Sequence, residues 1–180
     1  MKEIRFHGKG GEGAYMVSEM LCASFVSEGK CAASFPMFGF ERRGAPLATF
    51  VRFDEKPIRE KTQIYTPHCV VIIDRSQVGS DLVYKGLLPG GIVVCNSKSP
   101  LDKRGHENIE IMGSVDATRI ALEEIGRPIT NTTMLGAFAA TTKWVELEAI
   151  IETIGQYFSG EILEGNLRSA ERGYQEVILS

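Results

Sequence analysis

Lys2-Glu3-Ile4-Arg5-Phe6-His7, then Gly8-Lys9-Gly10-Gly11-Glu12-Gly13, then a helical pattern to about Glu28: the reading of this stretch decides the fold. The first six residues read as a strand. The glycines make a turn whose backbone can take positive φ and approach a ligand closely. The helix behind the turn carries Val17, Met20, Leu21, Ser24 and Phe25 on one face. Gly29 stands where a helix C-cap is expected.

Further along, Cys69-Val70-Val71-Ile72-Ile73 is a continuous apolar run that ends in Asp74. A strand covered on both faces reads this way. Ile92 to Cys95 is a second such run, entered through Pro89-Gly90-Gly91, and a short strand is expected near Ile109 to Met112. Between these and the opening unit, Cys31 to Phe35 reads as a strand and Pro36 to Pro46 as an irregular segment. Leu47 to Phe53 reads as a strand with Ile58 to Tyr65 as its hairpin partner across Asp54-Glu55-Lys56-Pro57. Helical patterns fill the C-terminal third, from about Asp116 to Ile125, Thr132 to Thr142, Val145 to Phe158 and Ile162 to Val177. In the third of these, Leu147, Ile150, Ile151, Ile154 and Phe158 share a face. The fold class is therefore α/β: one domain over residues 1–180, a mostly parallel sheet with a hairpin insertion, and a helical C-terminal third.

Three segments carry candidate chemistry. In the first, Gly8, Gly10 and Gly13 match a Gly-Xaa-Gly-Xaa-Xaa-Gly spacing between a strand and a helix. The helix N-terminus offers free N–H groups and the positive end of a dipole, which suits an anion. A tight strand–helix turn without any ligand has the same appearance. An NAD site also wants an acid at the end of the second strand; Ser34-Phe35-Pro36 supplies none, which disfavours an NAD-dependent oxidoreductase. Glu12 opposes a phosphate if its carboxylate occupies the dipole site itself.

The second segment, Phe35-Pro36-Met37-Phe38-Gly39-Phe40-Glu41-Arg42-Arg43-Gly44-Ala45-Pro46, puts three aromatics and a Glu-Arg-Arg triplet in one loop. A loop this apolar is expected to be covered by something. Arg42 and Arg43 can grip a carboxylate or phosphate bidentately, or form ordinary ion pairs with Glu41 or another acid. Phe38, Glu41, Arg42 and Arg43 are the expected partner-facing or ligand-facing residues. The third segment runs from Asn131 to Ala140. Asn131 or Thr130 can cap its helix. Gly136, Ala137, Ala139 and Ala140 allow close packing, either in the core or on a partner.

Composition narrows the function. The formal net charge is −3, so nothing drives the chain toward nucleic acid or an anionic membrane. No apolar run approaches the roughly 20 residues that span a bilayer, and no signal-peptide h-region opens the chain. A cytoplasmic protein is expected. The four cysteines, Cys22, Cys31, Cys69 and Cys95, form no CxxC pair, so they are expected to be reduced and to hold neither metal nor iron–sulfur cluster. His7, His68 and His106 lie far apart. Of these, only His7 adjoins the glycine turn, where it can line a site or serve as a satisfied structural histidine.

In this order, the glycine turn, the Phe-Pro-Xaa-Phe-Gly-Xaa-Glu-Arg-Arg-Gly-Ala-Pro segment and the Asn-Thr-Xaa-Met-Leu-Gly helix start resemble the gamma subunits of pyruvate and 2-ketoisovalerate ferredoxin oxidoreductases. Pro57-Ile58-Arg59 and the closing Arg172-Gly173-Tyr174-Gln175-Glu176-Val177 extend the resemblance over essentially the whole chain. Lys9 stands where the family often has Arg, and Glu12 where Gln is usual.

The resemblance implies a fold like domain III of pyruvate ferredoxin oxidoreductase. It implies a share in the reversible oxidative decarboxylation of a 2-oxoacid to an acyl-CoA, using thiamine diphosphate and passing electrons through iron–sulfur clusters to ferredoxin. Alpha, beta and ferredoxin-like delta subunits would be the partners and would hold those cofactors. This chain would bind none of them alone, contribute no catalytic residue and be inactive in isolation. Gly8, Lys9, Gly10, Gly11 and Gly13 would then approach an anionic group, part of CoA. Alternative readings are an indolepyruvate-type subunit and a stand-alone nucleotide-binding or regulatory module.

Overall fold

The computed structural model describes residues 1–10, 13–36, 46–102 and 106–180. Its centre is a sheet of seven strands in the order β2-β3-β1-β4-β5-β6-β7. These are β1 (Lys2–Lys9), β2 (Cys31–Pro36), β3 (Pro46–Asp54), β4 (Cys69–Ile72), β5 (Gly91–Asn96), β6 (Ile109–Val115) and β7 (Ile178–Leu179). β1, β4, β5 and β6 are parallel neighbours. β3 runs antiparallel between β1 and β2, and β7 antiparallel along β6. Five of the seven strands thus share a direction, as the continuous apolar runs predict for a sheet covered on both faces.

Side-chain alternation assigns the two faces. On β4 and β5, Cys69, Val71, Ile92 and Val94 join Ile4 and Phe6 in the larger core. Val70, Ile72, Val93 and Cys95 face a smaller one with Val83, Leu87 and Met112. The larger layer holds α1 (Ala14–Ser27), α4 (Asn131–Thr142), α5 (Leu147–Tyr157) and α6 (Gly160–Glu176), with α3 (Ala117–Ile125) against α6. The smaller layer is built around the four-residue α2 (Asp81–Tyr84).

All twelve residues of α4 are buried. A Cβ on Gly136 would collide with the Ala170 carbonyl of α6, and one on Gly173 with the Thr133 carbonyl of α4. The small residues of this segment therefore serve a close helix crossing inside the chain.

One strand expectation fails. Residues 58–65 form no strand. The reason is topological: β3 is already paired on both sides, by β1 and β2, so it has no free edge. The hairpin is β2–β3 instead. A side chain straps the 58–65 stretch down. Arg52, 1% exposed, donates to the carbonyls of Thr62 (2.8 Å) and Glu60 (3.3 Å) and pairs with Glu3 at 2.7 Å. Ile64 is buried beneath the segment. Among the described residues, no helix is long and apolar enough to cross a membrane.

Candidate functional site

The chain leaves β1 toward β2 on one side of the sheet and continues from β4 to β5 on the other. Such a reversal opens a crevice outside the carboxyl ends of the strands. The structure has a pocket of about 620 Å3 there. Gly13 borders it after β1, Ile73 and Asp74 after β4, and Asn96 at the end of β5. Met16, Ile129 and Phe158 contribute apolar wall. Thr130 and Asn131 bring in the N-terminus of α4.

The glycine turn is placed by contacts on both sides. Gly8 packs against Ala14 and Ile73 closely enough that a Cβ would stand 3.0 Å from that of Ala14. Gly13 has φ of 77°, and the space a Cβ would take holds the Asn131 side chain. Both facts restrict position 13 to glycine. The N-cap of α1 is Gly13, which has no side chain to cap it, so among the described residues the first-turn N–H groups receive no capping bond from that position. α4 is in the same condition. Thr130 sits at its N-cap, but its side chain makes no capping bond, and the capping expected from Thr130 or Asn131 is absent.

Lys9 turns to Asp74, with Nζ 3.2 Å from the buried carboxylate. Burial works to raise the Asp74 pKa, but hydrogen bonds from Ser76, Gln77 and Lys9 outweigh it and hold the group below the usual carboxylate value. Gln77 also donates to the Gly8 carbonyl at 2.9 Å, tying the turn to the end of β4. Gly10 borders a second, smaller apolar pocket with Pro36 and Leu47; Gly13 and Met16 border both pockets.

His7 lines neither of these two pockets. Its Nε2 accepts from Arg5 Nε at 2.9 Å, and Arg5 also donates to the carbonyls of Val83 and Lys85. Burial, and then the Arg5 charge, push the His7 pKa down to about 4. Gly11, Glu12, Phe38, Phe40, Glu41, Arg42 and Arg43 lie outside the described residues. Phe35 is half-buried, its ring 5.4 Å from that of Phe50 and with Arg52 over it.

One cluster escaped the sequence reading. Arg75 Nη2 reaches Asp116 at 2.8 Å and Asn96 at 3.3 Å. Asn96 donates to the Ile73 carbonyl and to Thr118, and Asp116 caps α3 through Arg119 N. The available signal was position. Each of Asp74, Asn96 and Asp116 is the polar residue that closes a buried strand run, where parallel sheets place binding groups.

Cys69 and Cys95 are buried thiols. Burial in the sheet pushes the Cys95 thiol up to about 11 and the Cys69 thiol higher still, away from the thiolate a cluster needs. Among the described residues no group of three His, Cys, Asp or Glu converges at metal-binding distance.

A family model described as pyruvate ferredoxin/flavodoxin oxidoreductase matches residues 3–176. A pyruvate/ketoisovalerate oxidoreductases common subunit gamma from Thermococcus kodakarensis is 46% identical, over 99% of this chain and 98% of the relative. The gamma subunit of an NADH-dependent phenylglyoxylate dehydrogenase from Aromatoleum evansii is 45% identical, over 98% and 94%. In three dimensions, the chain is similar to the pyruvate oxidoreductase subunit PORC of Thermotoga maritima, with a TM-score of 0.87 at 38% identity, over 99% of this chain and 98% of that one.

Proposed function

The chain belongs to the pyruvate ferredoxin/flavodoxin oxidoreductase family, and from that premise we propose that it is a gamma-type subunit that supplies the acyl acceptor's binding wall to a 2-oxoacid oxidoreductase. The observation that carries this reading is the pocket between two uncapped helix N-termini, α1 and α4, at the carboxyl end of the sheet. Its chemistry suits CoA: apolar wall for a base, and backbone donors for phosphates. Thiamine diphosphate would supply the decarboxylation chemistry, and iron–sulfur clusters the electron path to ferredoxin. Alpha, beta and delta subunits carry those groups, and this chain's residues bind and orient CoA against them in the cytoplasm. Here Gly8, Gly10, Gly11 and Gly13 keep side chains away from the anion. Lys9 acts on the turn through Asp74. Phe38, Glu41, Arg42 and Arg43 face a partner or the ligand.

Relatives of nearly equal identity are named for pyruvate, ketoisovalerate and phenylglyoxylate, whose side chains run from methyl to phenyl. A subunit shared so evenly among them suits the part of the reaction they have in common. Choice of 2-oxoacid is therefore assigned to the thiamine-binding subunits.

Amide hydrogen exchange on the assembled enzyme tests the pocket. CoA is expected to slow exchange at residues 14–16 and 131–133, and a 2-oxoacid alone is not. Unchanged exchange at both helix starts with saturating CoA would remove the acceptor from this pocket.

A further inference from the structure

Asn131 opens α4 and is 3% exposed, yet among the described residues its Oδ1 has no hydrogen-bond partner. Leaving a buried polar atom unpaired costs on the order of 1–3 kcal/mol, so a group kept in that state invites a function. Its amide lies over the Cα of Gly13, in the space a Cβ would occupy. One side chain thereby joins the start of α4 to the start of α1. A second unpaired buried atom, Arg75 Nε, belongs to another residue lining the same pocket.

The two unpaired atoms are complementary in kind. Arg75 Nε is a donor that lacks an acceptor, and Asn131 Oδ1 is an acceptor that lacks a donor. A nucleoside diphosphate supplies both, through phosphate oxygens and a ribose hydroxyl. The pocket's described lining contains a single acid, Asp74, and Lys9 meets its charge.

We propose that Asn131 is a positioning residue that joins the N-termini of α1 and α4 into one site for a diphosphate-bearing ligand. It fixes the spacing of the two helix starts, so that adjacent phosphates each meet one set of N–H groups. The inference rests on the reading that this pocket takes CoA, and it adds the α4 arm and the residue that holds it in register.

The test uses the assembled oxidoreductase and ADP as the probe. In the wild type, ADP is expected to inhibit competitively against CoA; absence of that inhibition would sink the pocket reading itself. Asn131→Asp keeps the side chain's shape and places an anion in the first turn of α4, where the helix dipole welcomes it. Because Asn131 lines the pocket, the aspartate also repels a phosphate there directly, so a purely structural Asn131 predicts unchanged CoA kinetics only for the uncharged Asn131→Ala. A positioning role predicts a rise of at least about tenfold in both the KM for CoA and the inhibition constant of ADP, equivalent to about 1.4 kcal/mol, with the effect on KM rather than kcat. Asn131→Ala introduces no charge, so the same rise in it separates positioning from the repulsion exerted by an aspartate. Competitive ADP inhibition in the wild type, with both constants unmoved in the folded variant, overturns the assignment of Asn131 and leaves the pocket reading standing.

Discussion

His7 shows how a residue beside a candidate site can be structural. Its neutral Nε2 accepts the Arg5 hydrogen bond, so protonation both removes an acceptor and places a second cation beside the guanidinium. In the unfolded chain a histidine titrates near 6.5; here it titrates near 4. Between those values the unfolded state binds the extra proton, so stability is complete above pH 6.5 and falls as the pH drops toward 4. The loss is bounded by about 1.4 kcal/mol per unit of displacement. Thermal melts from pH 7 to pH 4 are expected to show this decline, and His7→Asn, which does not titrate, is expected to flatten it. An equally steep decline in the variant would place the effect elsewhere.

Arg52 makes a different prediction. It is almost wholly buried, and the 58–65 segment is held by its hydrogen bonds rather than by a strand ladder. Arg52→Ala leaves Glu3 and two carbonyls without their donor, and breaking a buried pair in this way costs about 3–5 kcal/mol. Urea denaturation is expected to show a loss of that size.

Among the elements, the α4–α6 crossing is the most demanding. Gly136 and Gly173 each face a carbonyl of the other helix with no room for a methyl group. Gly136→Ala and Gly173→Ala are expected to destabilise by at least about 1–3 kcal/mol, the usual cost of overpacking. Gly155, whose Cβ would meet nothing within 4 Å, is the control: Gly155→Ala on α5 is expected to be neutral or stabilising by up to about 1 kcal/mol.

The sequence made much of this scale legible, because buried runs and helical stripes depend on local pattern. α1 reads correctly from Val17 to Phe25, and β4 from its unbroken apolar run. Pairing was less legible. The 47–53 and 58–65 runs satisfy a hairpin pattern locally, yet β3 prefers β1 along eight residue pairs, and those partners lie far away in the chain. The site was half legible for the same reason. Glycines of the turn announce themselves, whereas Asp74, Asn96, Asp116 and Asn131 meet only once the strands are side by side.

At the scale of the whole molecule, the fold presents two open helix starts, a pocket between them, and no described residues that could hold a metal cluster. The proposal that follows from the pocket is that this domain completes an oxidative decarboxylation carried out with partner subunits. The most direct test is reconstitution. Thiamine-binding and ferredoxin-like subunits from the same source, purified without this chain, are combined with it while 2-oxoacid-dependent and CoA-dependent reduction of a viologen dye is followed. The account predicts no turnover from the chain by itself, and turnover that rises to saturation as the chain is added to its partners. Full CoA-dependent activity in the partners before the chain is added, or activity in the chain alone, would contradict it.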